Sequence, residues 1–179
     1  MSEQQSDDQY VRDRLALHDL VMNYCRSIDR RDYKLLRSLY HDDAVEDLGG
    51  TGRGTIDQRL EYVRESQARF EITTHRVFNT LFVIDGDKAE GEHYVEAYHR
   101  TRGPNAQELI AGGRYIDRYE KRNGVWKFTY RARVSDRAEM RQVDAAAYEQ
   151  FIVAGNLGRA DAEDISYKVL EMLPPRTPA

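Results

Sequence analysis

A chain of 179 residues is close to the usual size of one domain and can bury a sizeable core without disulfide or metal support. Its 40% hydrophobic and 32% charged residues are typical of a globular protein rather than a disordered one. The formal net charge of −4 argues against nonspecific binding to nucleic acid, because neutralising phosphates requires a basic surface. Cys25 is the only cysteine, which excludes an intrachain disulfide and a cysteine-based zinc cluster.

Residues 1–8 contain neither a basic segment nor an apolar one, so they do not have the pattern of a signal peptide. We expect them to form a disordered tail. Apolar runs in the rest of the chain are far shorter than a membrane span, which predicts no membrane partner and a cytoplasmic location.

After this tail, apolar residues are spaced three and four apart, which is typical of helices with one buried face. The spacing predicts three helices, at Gln9 to about Arg30, Tyr33–Tyr40 and Thr55 to about Ala68. Thr55 and Gln58 have the spacing of a capping box, which marks the start of the third helix. Between the second and third helices, Ala44–Leu48 is predicted to be a short strand.

From Thr73 onward the period changes to two, which is the alternation of a sheet. Four long strands are predicted, at Thr73–Ile84, Lys88–Thr101, Glu108–Lys121 and Val125–Val134. Their short connections, including the hairpin signal Asn123-Gly124, predict an antiparallel meander. Gly112-Gly113, inside the third of these strands, predicts a bulge or a sharp bend.

Strands of this length must twist and curl, and helices across the concave side of a curled sheet enclose a cone whose interior is a natural ligand cavity. The predicted fold class is therefore α+β, with N-terminal helices packed on a strongly curved antiparallel sheet. Alternate Tyr and Phe side chains give the outer sheet face apolar surface to bury, which predicts a homo-oligomer, dimer or trimer. Residues 137–179 are predicted to be a helical extension of the same domain, with helices at Asp144–Val153 and Ala162–Leu173 and a stop at Pro174-Pro175.

Histidine is the side chain best suited to remove a proton from carbon near neutral pH. Of the five histidines, His75 opens the first long strand on the same face as Val77 and Leu81, which places an imidazole in the cone if that face is the interior. A hydrogen-bonded core or rim histidine is the alternative. His93 and His99 share a strand face but lie roughly 20 Å apart along it, too far to bind one metal ion, and no metal site is predicted.

Asp29 falls at the C-terminal end of the first predicted helix, flanking its apolar stripe. The helix dipole disfavours a carboxylate at that end, so a compensating partner is expected. That partner is either His75, whose tautomer Asp29 would fix, or one of the arginines Arg30, Arg31 and Arg131. Pairing with the arginines would make Asp29 an ordinary surface carboxylate.

Two other patterns have ordinary explanations. The glycine-rich segment 49–54 precedes a helix but lacks the lysine of a phosphate-binding P-loop, and it is interpreted as a flexible connection. Glu92, Glu96 and Arg100 form a row on one strand that is interpreted as a solvated face.

Several segments taken together resemble the SnoaL-like branch of the NTF2-like superfamily. They are, in chain order, Tyr24–Tyr33, Gly52–Ile56, Thr74–Asn79, Asp85–Ala89, Gly112–Asp117 and Gly124–Phe128. Their order and spacing extend over roughly residues 10 to 136 and are fairly specific for that fold. The resemblance implies a SnoaL-like, NTF2-like domain at residues 9–136.

The resemblance is nearest to scytalone dehydratase, hexachlorocyclohexane dehydrochlorinase and the bile-acid 7α-dehydratase, which use an Asp–His dyad inside the cone. Asp29 and His75 stand at the matching positions, one ending the first long helix and the other opening the first long strand. Tyr24, five residues before Asp29, is similar to a tyrosine of the bile-acid enzyme. The family's pocket arginine is best matched by Arg131, with Arg133 as the second choice.

The resemblance implies a cofactor-independent lyase that carries out an elimination or dehydration on a cyclic, largely apolar small molecule. His75 would act as the base, Asp29 would orient it, and Tyr24 and Arg131 would bind the carbonyl or leaving oxygen. No metal and no cofactor are expected. Two alternatives stay open: a double-bond isomerase with the same residues, and a non-catalytic module for ligand binding or assembly.

Overall fold

A computed structural model of the chain describes residues 3–152 and 155–173. Its helices are α1 (Glu3–Asp29), α2 (Tyr33–Ser38), α3 (Ile56–Ala68), α4 (Ala145–Phe151) and α5 (Ser166–Val169). Its strands are β1 (Tyr40–Asp47), β2 (Arg53–Thr55), β3 (Phe70–Asp85), β4 (Lys88–Thr101), β5 (Gln107–Arg122) and β6 (Val125–Gln142), and the short 3-10 turn Gly49–Thr51 joins β1 to β2. No helix within the described ranges is long and apolar enough to cross a membrane.

The first helix begins at Glu3 rather than at Gln9, so the disordered tail predicted for residues 1–8 is not what the structure shows from Glu3 onward; residues 1 and 2 lie outside the described part. The predicted apolar stripe of α1 is buried, at Leu17, Leu20, Val21, Tyr24 and Ile28.

The strands form one sheet in the order β2-β1-β6-β5-β4-β3. The consecutive strands β3 to β6 are antiparallel, which confirms the predicted meander. β1 pairs antiparallel with β2 and parallel with β6, a pairing that closes the sheet further around the core. The helix α1 packs against β3 and β6, and α3 packs against β1 and β3, so the helices cover one face of a curved sheet as predicted for an α+β cone.

Two local predictions are confirmed at the ends of these elements. The side chain of Thr55 accepts a hydrogen bond from the backbone N–H of Gln58, whose own side chain accepts from the backbone N–H of Thr55, which is the complete capping box of α3. Asn123 and Gly124 have φ angles of 53° and 78°, the left-handed conformations that a tight hairpin turn between β5 and β6 requires.

Bulges bend two of the long strands. The register of β5 against β6 shifts between Gly112 and Gly113, at the glycine pair where a bulge or bend was predicted, and the extra residue is Asp136 of β6. The register of β3 shifts between Val77 and Thr80, a bulge that the alternation did not predict. Because the extra residue exchanges the two faces of the strand, Leu81 is 63% exposed and does not share the inner face with His75.

The C-terminal part is less helical than predicted. β6 runs on to Gln142, so the first residues of the predicted helical extension 137–179 belong to the sheet. Asp144 caps α4, but the second predicted helix is reduced to the four residues of α5. The carboxylate of Asp164 accepts hydrogen bonds from the backbone N–H groups of Arg159 and Ser166, a local arrangement that competes with helix formation. The predicted stop at Pro174-Pro175 and the predicted helix end at Val153 lie outside the described residues.

Candidate active site

Asp29, the last residue of α1, lies against the start of β3 and contacts His75 twice. Its Oδ1 is 2.7 Å from the ring Nδ1 of His75, and its Oδ2 accepts a hydrogen bond of 2.8 Å from the backbone N–H of the same residue. The hydroxyl of Thr73 donates a third hydrogen bond, of 2.9 Å, to Oδ1. The carboxylate of Asp29 is therefore buried against three donors that hold it in one orientation.

The neighbouring arginines, which were the alternative partners of Asp29, are engaged elsewhere. The Nε of Arg30 lies 3.4 Å from Oδ1 of Asp164, and Arg31 donates a hydrogen bond of 2.7 Å to the carbonyl of Phe70. Asp29 is 8% exposed, so it is not a surface carboxylate. The unfavourable effect of the helix dipole on the carboxylate of Asp29 is therefore offset by the hydrogen-bond donors of β3.

His75 lines a cavity of about 320 Å³ between the concave face of the sheet and helices α1 and α3. Apolar side chains such as Ile28, Val95 and Leu109 form much of its wall. The side chains of the wall that could act on or bind a ligand include Tyr24, His75, His99, Tyr115, Arg133 and Arg137. A hollow of this size and mixed lining fits a small ring compound.

The contact with Asp29 decides which nitrogen of His75 faces a ligand. A carboxylate only accepts hydrogen bonds, so the Nδ1 beside it carries the proton. The neutral ring then has its lone pair on Nε2, the nitrogen on the far side from Asp29. Since His75 lines the cavity, Nε2 is the nitrogen through which it could act as a base on a ligand there.

His99, from β4, supplies a second imidazole to the cavity wall. Its ring centroid is 5.6 Å from that of His75, and the two rings are nearly perpendicular. Burial lowers the pKa of His99 to about 4, and the nearby His75 and Arg133 act in the same direction. His99 is therefore an uncharged neighbour of His75 at neutral pH.

Arg131 does not line the cavity, although it was the preferred pocket arginine. It is fully buried, and it forms two hydrogen bonds, of 2.8 Å and 2.6 Å, with the carboxylate of Asp117. Its guanidinium carbon lies 3.9 Å from the ring centroid of Tyr24 and 4.3 Å from that of Tyr115. The structure therefore does not place Arg131 where the predicted direct contact with a substrate would need it, because aromatic rings lie over its guanidinium. The arginine of β6 that the structure places in the cavity wall is Arg133, the second choice.

A buried polar network continues from Asp117. The hydroxyl of Tyr119 donates a hydrogen bond of 2.7 Å to Asp117, and Nε2 of His93 lies 2.8 Å from that hydroxyl. Burial by itself would raise the pKa of Asp117, but Arg131 holds it below its usual range.

Within the described ranges, no three His, Cys, Asp or Glu side chains are grouped so that they could hold a metal ion.

Tyr24 reaches the cavity from α1, as predicted, and is 6% exposed. Burial raises its pKa well above the ordinary value, and the charge of Glu46 adds to that shift. The phenol of Tyr24 is therefore protonated at neutral pH and can donate a hydrogen bond. Its ring also covers the guanidinium of Arg131, which links the cavity wall to the buried ion pair.

Sequence reasoning missed three residues of the site. Thr73 precedes His75 by two residues on the same strand face, which is a signal that alternation could have supplied. His99 was considered only as a metal ligand, yet it pairs with Thr73 across β3 and β4 and so lies close to Asp29 and His75. The sequence could not assign Tyr115 to the site, because its position depends on the register of β5 against β6. In that register Tyr115 lies opposite Arg133.

Helices that cover the concave face of a curved sheet, with a cavity between the two layers, form an α+β cone, and the carboxylate–imidazole pair stands at the wall of that cavity. The chain belongs to the SnoaL-like family, because the family model described as a SnoaL-like domain matches residues 9–132. The resemblance found in the sequence is thus confirmed at the level of family and fold.

Known proteins similar to this chain agree with that assignment. The γ-hexachlorocyclohexane dehydrochlorinase of Sphingobium indicum is 30% identical over 132 residues, which cover 70% of this chain and 82% of the relative. A solved hexachlorocyclohexane dehydrochlorinase, type 3, from Novosphingobium barchaimii has a TM-score of 0.67 at 23% identity, over 78% of this chain and 95% of that one. A protein with a cystatin-like fold from Nostoc punctiforme has a TM-score of 0.56 at 18% identity, over 69% of this chain and 91% of that one.

Proposed function

We propose that the protein is a cofactor-independent lyase that eliminates a small leaving group from a cyclic small molecule. The observation that carries this proposal is the imidazole of His75, whose Nδ1 lies 2.7 Å from Asp29 while the residue lines the cavity. The similarity to a dehydrochlorinase, an enzyme named for an elimination, supports the reaction class.

In this mechanism Nε2 of His75 takes a proton from a carbon of the substrate. The electron pair of that C–H bond forms a double bond to the neighbouring carbon, and the leaving group departs from that carbon with the electrons of its own bond. The ring of His75 becomes an imidazolium, which Asp29 stabilises at 2.7 Å. A departing hydroxide takes this proton to leave as water, whereas a halide leaves as an anion and His75 returns its proton to solvent.

The phenol of Tyr24 is proposed to bind an oxygen of the substrate. A hydrogen bond to a carbonyl or a leaving oxygen is stronger in the transition state, where negative charge develops, than in the ground state. Tyr24 lines the same cavity as His75, and the cation of Arg131 behind its ring polarises the phenol towards such a contact. Arg131 is a positioning residue in this scheme, since the rings separate it from the cavity.

The test is an elimination assay on two kinds of probe: γ-hexachlorocyclohexane, followed by chloride release, and cyclic β-hydroxy ketones, followed by mass spectrometry for loss of water. The wild-type protein is expected to turn over at least one of them. The His75→Ala variant should react about 10²–10⁴-fold more slowly with an unchanged circular dichroism spectrum, since that is the usual contribution of a positioned base. His18→Ala, which alters an exposed histidine of α1, is the matched control. Undiminished turnover by His75→Ala would contradict the proposal.

The same assay separates a lyase from a double-bond isomerase, which would use the same base on a substrate without a leaving group on the neighbouring carbon. An isomerised product has the mass of the substrate, whereas an elimination product is lighter by the molecule lost.

We also expect a homo-oligomer, dimer or trimer, that buries the outer face of the sheet. Phe78, Leu81 and Val83 of β3 are 57%, 63% and 63% exposed on that face, and Tyr94 of β4 is 45% exposed. Light scattering of the purified protein measures the number of chains, and a monomer at micromolar concentration would contradict this expectation.

A further inference from the structure

The ionisable side chains of Arg and His that line the cavity are all basic. Its lining residues include Arg133 and Arg137 and the histidines His75 and His99. Among the described residues that line it, none is Asp or Glu; Asp29 lies behind His75 and faces its Nδ1. A cavity lined by one sign of charge attracts a ligand of the opposite sign.

Only one of the two guanidinium groups is neutralised nearby. The Nη2 of Arg137 lies 2.7 Å from Oε2 of Glu96. Arg133 has no carboxylate within 4.0 Å in the part of the chain that the structure describes, and it is an exposed residue at the wall of the cavity. Arg133 is therefore a cation whose hydrogen-bond donors are available to a ligand.

The sheet register places Arg133 on the same inner face as the other site residues. It lies directly opposite Tyr115, which is buried and lines the cavity. Three strand spacings separate β6 from β3, a path of roughly 14 Å along the sheet that the curvature of the cone shortens. His99 lies between the two ends: its ring is 5.6 Å from that of His75, and the charge of Arg133 is close enough to depress its pKa.

We infer that the substrate carries a carboxylate, which the guanidinium of Arg133 binds while His75 acts on a carbon at the opposite side of the same cavity. A planar guanidinium presents paired N–H donors that match the two oxygens of a carboxylate. The neutral ring of His99 adds no competing charge between the two groups. The part of this inference that concerns the reacting carbon rests on the proposed lyase function; the part that concerns binding does not.

The experiment compares two probes of equal shape, cyclohexanecarboxylate and its neutral amide, cyclohexanecarboxamide. Their binding is followed by NMR through the imidazole C–H signals of His99, at about pH 8, where His99 is uncharged. The variants are Arg133→Gln and, as a matched control, Arg118→Gln, which alters an exposed arginine that stacks on Tyr130 away from the cavity.

The wild-type protein should bind the carboxylate about tenfold more tightly than the amide, and Arg133→Gln should remove that difference while Arg118→Gln preserves it. Equal affinities for the two probes in the wild-type protein, or a preference that survives Arg133→Gln, would overturn the inference. So would the absence of carboxylate binding at tens of millimolar.

The readout is independent of catalysis. His75→Ala should slow turnover by about 10²–10⁴-fold if the proposed function is correct and should still bind the carboxylate in preference to the amide. Loss of turnover without this preference would therefore refute the substrate class alone. Preference for the carboxylate with unaltered turnover would refute the role of His75 alone.

Discussion

Asp29 holds His75 by two bonds at once, one to the ring Nδ1 and one to the backbone N–H. The first bond fixes the tautomer and the plane of the ring. The second fixes the strand on which the ring is carried, so the end of α1 and the start of β3 are joined at a single carboxylate. A buried charge is tolerated only when its partners satisfy it, and here the partners are residues of the candidate site itself.

The first prediction concerns the carboxylate of Asp29. The carboxylate of Asp29 has three hydrogen-bond donors around it, whereas the amide of Asn offers only one acceptor oxygen. In Asp29→Asn the amide N–H₂ would therefore face a group that also donates. The ring of His75 should then take the tautomer with hydrogen on Nε2, which removes the base from the cavity. The elimination rate should fall by about 10²–10⁴-fold in a steady-state assay on the probe that the wild-type protein turns over. Asp19→Asn, at an exposed position of the same helix, should keep the wild-type rate; a similar loss in both variants would point to a general effect on α1.

The second prediction concerns stability and the protonation of His99. Burial lowers its folded pKa from 6.5 to about 4, so between these values the unfolded chain binds a proton that the folded protein does not. The stabilising effect of the neutral ring is complete above pH 6.5 and is lost as the pH falls towards 4. Over that window the free energy of unfolding of the wild-type protein should fall by about 3 kcal/mol more than that of His99→Gln, measured by urea titration. His18→Gln, at an exposed histidine, should follow the wild-type curve, and parallel curves for all three proteins would contradict the buried placement of His99.

The third prediction concerns the buried ion pair below the cavity. Asp117→Asn removes the charged partner that makes two hydrogen bonds with the buried guanidinium of Arg131, which should lower the free energy of unfolding by about 3–5 kcal/mol. The control is Glu163→Gln, which breaks an exposed pair with Lys168 and should leave stability essentially unchanged. Urea unfolding of the three proteins provides the comparison. Equal stability of Asp117→Asn and the wild-type protein would show that Arg131 finds another partner or is solvated.

The fourth prediction concerns the close approach of β5 and β6 at Gly113. A Cβ atom at Gly113 would lie 2.0 Å from the carbonyl oxygen of Val134, so Gly113→Ala must displace the backbone of β6. Overpacking of this kind costs about 1–3 kcal/mol of stability, and the shifted strand should also alter ligand binding in the cavity that Gly113 lines. Gly50→Ala is the matched control, because a Cβ there meets nothing within 4 Å. Thermal unfolding that ranks the two variants equally would contradict the tight approach of β5 and β6.

The main helices and the four-strand meander were predictable because they depend on local signals. The stripe of α1, the capping box at Thr55 and the turn at Asn123-Gly124 are each readable from a few neighbouring residues, and the structure has all three. The bulge between Val77 and Thr80 contains no glycine, so the sequence gives no sign of it. Simple alternation along β3 therefore assigned Leu81 to the wrong face.

The candidate site was predictable only in part for a related reason. Asp29 and His75 end and open regular elements, so their approach follows from how α1 meets β3. Arg131 and Arg133 lie on the same face of one strand, and alternation cannot tell which of them the tyrosine rings cover. That choice depends on packing between β6 and α1, which neither segment encodes alone.

The central claim is that the carboxylate of Asp29 fixes the ring of His75 with Nε2 free towards the cavity. The most direct measurement is the ¹⁵N NMR spectrum of the imidazole nitrogens of His75 in mildly alkaline solution, in the wild-type protein and in Asp29→Asn. Hydrogen on Nδ1 in the wild-type protein, and its transfer to Nε2 in the variant, is the predicted result. Hydrogen on Nε2 in the wild-type protein, or a spectrum that Asp29→Asn leaves unchanged, would contradict the account.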